Sequence, residues 1–341
     1  MKNQLVSNMM IVLAVAGIGT LMPNWVSGQT QEPAEETWTV GRTVDGHPDL
    51  QGIWSNNNAT PLERPEVLGE RESLTEEEVA LMKERANQVF ANSSGDAAFG
   101  DEVFKALLTD QADFSSSDTA TGNYNQFWVV DLDFDNRTSL VTDPANGRLP
   151  SLTPEAEERI ATRKIVQERA YGPEDRSLGD RCITFSVPSL VAGYNSYYQI
   201  LQVPGYVVLL MEMIHDVRII PLDGRPHIGN GIRQWHGDSR AHWEGDTLVI
   251  DTTNYSPKSY FQGSQDNLHV TERFTRVGPN SINYEFTVED QTTWTDSWTA
   301  MIPLKKTDDA IFEYACHEGN YGMEGILAGA RAVEKAAQEG Q

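Results

Sequence analysis

Cations are scarce in this sequence. Its 341 residues carry 26 lysines and arginines against 50 aspartates and glutamates, a formal net charge of −24 at neutral pH. A chain so acidic repels phosphate backbones and anionic lipid surfaces, so neither nucleic acid nor membrane is expected as its main partner. Cysteine is almost missing: Cys182 and Cys316 are the only two. Beyond the first residues no stretch is apolar enough to span a bilayer. The sharper catalytic signatures are missing too. There is no Gly-x-Ser-x-Gly elbow, no phosphate loop, no dinucleotide fingerprint and no His-Glu-x-x-His pair, so no cofactor and no metal are expected. His236 and His242 would meet across a hairpin, but a metal site needs a third ligand that the sequence does not supply. No fixed-period repeat occurs.

What is present begins with an apparent export signal. Lys2 precedes an apolar run, Met9 to Met22, that is short for a membrane span, and small residues at Val26 to Gly28 lead into Gln29. This pattern predicts a signal peptide over residues 1–28 and a periplasmic or extracellular protein, with a retained anchor as the alternative. A polar, flexible leader is expected over residues 29–45 and one β-rich domain over 46–338. In an oxidising compartment the two cysteines are expected to pair, tying the middle of the chain to its end. Two buried thiols are the alternative. A nucleophilic cysteine is the least favoured reading, since exported thiols oxidise readily.

Two helices are expected before residue 171. Leu74 to Phe90 follows Ser73 as N-cap with Glu76 at the capping-box spacing, and Thr153 to Ala170 opens with Thr153 and Pro154. Between them Asn92 to Asn125 reads as a long excursion with one short helix near Val103 to Leu108. From Tyr197 the pattern turns to short alternating segments punctuated by Pro204-Gly205, Asp223-Gly224, Gly245-Asp246 and Pro279-Asn280. Together with an entry strand at Asp49 to Trp54 they predict antiparallel strands, the last over Ala310 to His317, followed by a helix over Met323 to Gln338. The fold class is mainly β: an antiparallel barrel or a sandwich, with a few flanking helices.

Three stretches concentrate chemistry. In Ile214 to His227, His215 is in step with Val207, Leu209, Met211 and Met213, which points it inward. There it would act as a general base or acid, or sit as a core histidine; Asp216 and Arg218 would orient it or pair with each other, Asp216 being the favoured partner, and Arg225 and His227 would line the mouth. In Glu313 to Tyr321, His317 with Glu318 would be the complementary acid, or a solvated strand end. In Gly237 to Asp246, Asp238 and Arg240 would pair beside Trp243, or the stretch is an ordinary hairpin. Arg181 and Arg225 would hold an anionic or carbonyl oxygen, and Trp243 and Tyr321 would stack on the substrate. Glu272, Arg273, Glu285 and Glu289 read as the wet face of a half-buried sheet, or as a polar lumen if they point into a barrel.

The blocks "PDLQGIW", "TSLVTDP", "DRCI", "IHDVRIIPLDGRPH", "WEGDTLVIDTTN", "ERFTR", "YEFTVED" and "YACHEGNY" resemble a set of exported bacterial proteins with no established reaction. The resemblance runs from Pro48 to Ala332 and implies a single domain, without assigning catalytic roles. Gly52-Ile53-Trp54 also resembles the Gly-x-Trp entry of lipocalin-like barrels, where the Trp plugs one end; this favours barrel over sandwich. The leading expectation is an exported, cofactor-independent acid–base hydrolase or lyase for a small or saccharide-like substrate. A non-catalytic lipocalin-like periplasmic carrier is the rival, and a structural envelope component a third. An enzyme should gather histidines and acids in one concave pocket, whereas a carrier should show a deep apolar cavity.

Overall fold

The computed structural model describes residues 38–90, 104, 105, 107, 108 and 132–339. The expected signal peptide, the leader up to residue 37 and most of the Asn92–Asn125 excursion lie outside the described residues. Of the short helix expected there, Phe104, Lys105, Leu107 and Leu108 are helical. No helix among the described residues is long and apolar enough to cross a membrane.

Ten strands are described: β1 Gly52–Ser55, β2 Val141–Asp143, β3 Tyr197–Val203, β4 Tyr206–Met211, β5 Val217–Pro221, β6 Asp238–Glu244, β7 Thr247–Thr253, β8 His269–Gly278, β9 Ser281–Glu289 and β10 Trp298–Thr307. All their ladders are antiparallel, in the order β5-β4-β3-β1-β10-β9-β8-β7-β6, with β2 paired to β10. Two meanders, β3 to β5 and β6 to β10, are thus joined by β1. The sheet is not closed into a barrel. Its edge strands β5 and β6 lie side by side with no ladder between them.

Period-two alternation explains why one face became the core. Ile282, Tyr284, Phe286 and Val288 of β9 are buried in step, as are Val270, Glu272 and Phe274 of β8. Ring contacts run along this face: Phe274 stacks on Tyr284 at 4.5 Å and Phe286 meets Trp298 edge-on at 5.8 Å between centroids. Trp54 of β1 is buried too, with its Nε1 donating to the Leu50 carbonyl at 2.8 Å and the Arg276 guanidinium 5.6 Å from its ring centre. The β3–β4 turn is Pro204-Gly205, where Gly205 takes φ +78°, the left-handed position that follows proline in a tight turn.

Within this apolar face sits an ion pair. Arg218 of β5 donates to both carboxylate oxygens of Glu272 on β8, at 3.0 and 2.5 Å, and to Ser239 on β6 and Thr252 on β7 at 2.9 and 3.1 Å. The Tyr284 hydroxyl donates to Glu272 at 2.8 Å. Burial opposes the Arg218 charge, but the attraction and hydrogen bonds of Glu272 outweigh it and raise the guanidinium pKa. The expected pairing of Arg218 with Asp216 therefore does not form. Glu272 is not on a wet face, because its parity matches Val270 and Phe274; Glu285 and Glu289 have the opposite parity.

Three longer helices occur among the described residues: α1 Glu76–Phe90, α2 Pro154–Arg169 and α3 Tyr321–Glu339. The α1 cap differs from expectation. Thr75, not Ser73, closes a reciprocal box with Glu78: Glu78 N donates to Thr75 Oγ1 at 3.2 Å and Thr75 N to Glu78 Oε2 at 2.8 Å. α1 buries Met82 and Ala86 in a separate small cluster with Leu68, Leu74, Phe104 and Leu107. α2 is capped by Thr153, which accepts from Ala156 N at 3.1 Å, with Pro154 in its first turn. Arg159 anchors it through the Gly263 carbonyl and Thr293. The strand expected over Ala310–His317 does not form. Its alternate amides are consumed by side chains instead, Phe312 N donating to Glu212 Oε1 at 3.0 Å and Tyr314 N to His215 Nε2 at 2.7 Å. That leaves no ladder to build, and Phe312 faces solvent.

Cys182 and Cys316 are bonded, with 5.6 Å between their Cα atoms across 134 residues of sequence. In the chain-entropy description such bonds typically contribute about 2–4 kcal/mol. Thiol titration of the unfolded, unreduced protein should find no free sulfhydryl, and two titratable thiols would refute the bond. A second expectation concerns Arg218. Truncating Glu272 to alanine strands a buried guanidinium and should cost about 3–5 kcal/mol in urea unfolding. Replacing both partners with apolar residues (Arg218→Met, Glu272→Leu) should recover most of the loss. A Glu272→Ala protein as stable as wild type would contradict this account.

Candidate active site

The seam between β5 and β6 opens into a cleft of about 540 Å³, within the usual size of a small-molecule site of roughly 300–1,000 Å³. β5 and β6 form its sides, and Arg233, Trp235 and His236 reach it from the segment joining them. That segment is held against the start of the β7–β8 connection. Gln234 N donates to the Asn254 carbonyl at 3.0 Å, Ser256 N to the Gln234 carbonyl at 2.8 Å, and Asn254 Nδ2 to the Ile228 carbonyl at 2.8 Å. Gly237 turns the chain into β6 at φ +68°; a β-carbon there would lie 2.6 Å from the Thr253 carbonyl oxygen. The position demands glycine on two counts.

His236 is tied at one ring nitrogen. Its Nε2 lies 2.7 Å from Thr184 Oγ1 and 3.2 Å from Asp216 Oδ1, while the Thr184 hydroxyl donates to Asp216 Oδ2 at 2.8 Å. With that hydroxyl proton committed to Asp216, the consistent assignment has Nε2–H donating to Thr184 and Asp216. Nδ1 then keeps its lone pair, and no hydrogen bond engages it among the described residues. Asp216 and Thr184 are buried. A histidine oriented by a buried acid with its other nitrogen open is equipped to accept and return a proton.

Besides Arg218, which is committed to Glu272, two arginines line the cleft. Arg240 is bound to Asp238 Oδ1 at 2.6 Å and to the Ser239 and Pro226 carbonyls at 2.7 and 3.1 Å. Arg233 donates to the Asp266 carbonyl at 2.8 Å. Trp235 is partly exposed and offers an aromatic wall.

From Asp238 a line of alternating acids and histidines runs across the outer face of the sheet. His227 Nδ1 lies 2.9 Å from Asp238 Oδ2 and its Nε2 lies 2.7 Å from Asp251 Oδ1; His269 Nε2 lies 2.5 Å from Asp251 Oδ2 and its Nδ1 lies 2.8 Å from Glu289 Oε2. The hydrogen bond to Asp251 raises the His269 pKa, with Glu289 adding to it, and the bond from His269 lowers that of Asp251. His227, expected at the cavity mouth, lies in this line.

The residues singled out from sequence scatter. β4 ends at Met211, and a 3-10 turn at Met213–His215, with Ile214 and His215 at positive φ, breaks the alternation that put His215 inward. His215 is exposed and accepts from the Tyr314 amide. It does reach the segment containing Cys316, as expected, but Asp216 points away from it to His236. His317 and Glu318 are exposed in the turn after Cys316, and Tyr321 is exposed at the start of α3. Arg181 pairs with Glu174 at 2.8 Å, and Arg225 is paired with Asp223 beside it. Trp243 stacks on His47 at 4.9 Å between centroids. None of Arg181, Arg225, Trp243 and Tyr321 lines the cleft; Asp216 alone of the expected catalytic group bonds to a residue that does. Asp238 and Arg240 pair as expected. His236 and His242 do not meet: His242 lies 3.1 Å from Glu244, and no set of three or more candidate ligands for a metal occurs among the described residues. Of the stretches singled out, Ile214–His227 and Gly237–Asp246 supply Arg218, Asp238 and Arg240 to the cleft, and the polar and aromatic run Arg233–His236 before Gly237 was the sign left unread.

No family model matches the chain, and no curated protein and no solved structure shows significant similarity to it.

The acid–histidine line carries a pH signature. Because the folded His269 pKa is raised, its contribution is complete below the ordinary value of about 6.5 and is lost as pH rises through the raised one. Asp251, lowered, contributes above its ordinary value and loses that contribution as pH falls. Wild type and His269→Gln should therefore differ most in Tm at about pH 5–6.5 and converge on the alkaline side. A gap that widens with rising pH would contradict the assignment.

Proposed function

We propose that this chain is an exported acid–base enzyme, a hydrolase or lyase, acting on a small or saccharide-like substrate in the cleft between β5 and β6. In this reading the curled sheet is a barrel left open along one seam, and the seam is the active site. His236 is the general base and returns its proton as the acid. Asp216 and Thr184 orient it. Arg233 and Arg240 hold an anionic or carbonyl oxygen of the substrate, so that charge developing in the transition state meets donors already fixed in place. Trp235 packs against the apolar face of a sugar ring or similar body.

The observation that carries this reading is the half-engaged imidazole: Nε2 fixed by Thr184 and Asp216, Nδ1 unengaged, in a cleft that also holds arginines. The core behind it supports catalysis at the seam over carriage inside the sheet, because the inner face is filled by packed rings. Export is supported by the apolar N-terminal run and is compatible with the disulfide.

Screening glycosides, uronates and esters should find a substrate whose turnover falls about 10²–10⁴-fold in His236→Gln, the usual value of a positioned acid–base group. The Tm of that variant should stay close to wild type. Asp216→Asn should show a smaller loss of kcat with KM little changed. A true substrate turned over equally well by His236→Gln would remove this histidine from the chemistry.

A further inference from the structure

Trp235, which lines the cleft, also lines a smaller cavity of about 140 Å³. Its wall includes Arg163 of α2, Tyr260 of the β7–β8 connection and the hydroxyl residues Ser177, Thr184 and Ser186. The Arg163 guanidinium sits 4.2 Å above the centre of the Tyr260 ring. It has no carboxylate partner and no hydrogen bond among the described residues.

Arg169, further along the same helix, likewise meets only a ring, that of Tyr171, but it is exposed, whereas Arg163 is half-buried at a cavity wall. Other neighbouring arginines are satisfied: Arg159 by the Gly263 carbonyl and Thr293, Arg176 by Asp180, Arg181 by Glu174. Along α2 the positions three and four residues from Arg163 are Arg159, Ile160, Val166 and Gln167, so its own helix face offers no acid. Burial without a counter-charge lowers the Arg163 pKa. A half-buried cation left uncompensated is costly, and an anion in the adjoining space would relieve the cost.

The geometry suits that anion. A guanidinium covered on one face by an aromatic ring keeps its N–H donors free at the edge, the arrangement that grips a planar carboxylate with two parallel bonds. Ser186 stands at φ +84°, outside the usual range for serine, and its amide donates to Thr184 Oγ1 at 2.9 Å. Backbone held in such a conformation often marks a functional position. The cavity is about a quarter of the cleft's volume, a size suited to a ligand of a few heavy atoms.

We propose that the cavity at Arg163 is a binding site for a small monoanionic carboxylate. One arginine balances one negative charge, and a dianion such as phosphate would bring excess charge onto an already acidic protein. This assignment is independent of the chemistry proposed for His236, which its test does not touch.

Sodium acetate and inorganic phosphate are titrated calorimetrically into the full-length protein at matched ionic strength, with sodium chloride as control. Acetate should bind saturably with one site and raise Tm, and phosphate should bind more weakly. In Arg163→Gln the acetate affinity should fall at least tenfold and the shift in Tm should vanish. Arg163→Lys, which keeps the charge and loses the fork, should fall between the two and supplies the comparison if the glutamine variant does not fold. Absence of saturable acetate binding, or equal binding by wild type and both variants, would overturn the site. Phosphate binding tighter than acetate would overturn its assignment to a monoanion.

Discussion

The contact between Arg218 and Glu272 holds the two edges of this sheet together. β5 and β6 share no ladder, so the backbone does not fasten the seam; a guanidinium from β5 does, reaching Ser239 on β6, Thr252 on β7 and Glu272 on β8. Both charges are nearly dry, Arg218 at 6% exposure and Glu272 at 1%. Taking two charges from water costs several kcal/mol each, so the pair adds little net stability. What it adds is position. Its fork geometry fixes where β5 sits over the core, and β5 forms one side of the cleft.

An unladdered seam is a liability and an opportunity at once. Edge strands expose unpaired backbone groups that invite other chains. Here the connection from Leu222 to Gly237 runs from one edge to the other, tied at Pro226–Ile228 to Asp238 and Arg240 of β6 and at Gln234 to residues 254–256. The stitching leaves a concave, polar opening in a sheet whose inner face is otherwise filled by rings. His236 and Trp235 enter the opening from a glycine turn, where side-chain direction is set by Gly237 and not by strand parity.

That distinction explains what the sequence made legible. Strand parity is local, so the antiparallel run of short strands that begins at Tyr197 could be read, and Thr153-Pro154 marked the start of α2. The single cysteine pair left one possible disulfide. His215 failed because parity was extended past Met211, where a 3-10 turn interrupts it; nothing in Glu212-Met213-Ile214 announces that turn. The last expected strand failed for a non-local reason, since Glu212 and His215 take the amides that a ladder would need. His236 was weighed only as a metal ligand, because its partners Thr184 and Asp216 lie 52 and 20 residues earlier in the sequence. Parity does place Glu272 with Val270 and Phe274, and an acid in step with two core residues was the legible sign of a buried partner.

The charge of the chain bears on both cavities. At −24 the mean field of the protein repels anions, yet Arg163, Arg233 and Arg240 all stand at cavity walls. Long-range attraction therefore cannot gather an anionic ligand; capture must rest on short, directed hydrogen bonds inside the cavity. Salt acts unequally on these two terms. At physiological ionic strength the Debye length is about 8 Å, and at 1 M about 3 Å, so added salt removes the distant repulsion while a half-buried contact is screened far less. If the proposed sites bind anions, added salt should weaken that binding less than it weakens binding driven by long-range attraction. The acid excess spreads negative charge over the surface, while these arginines place positive charge at the walls of the two cavities, Arg233 at an exposed position and Arg163 and Arg240 at partly buried ones.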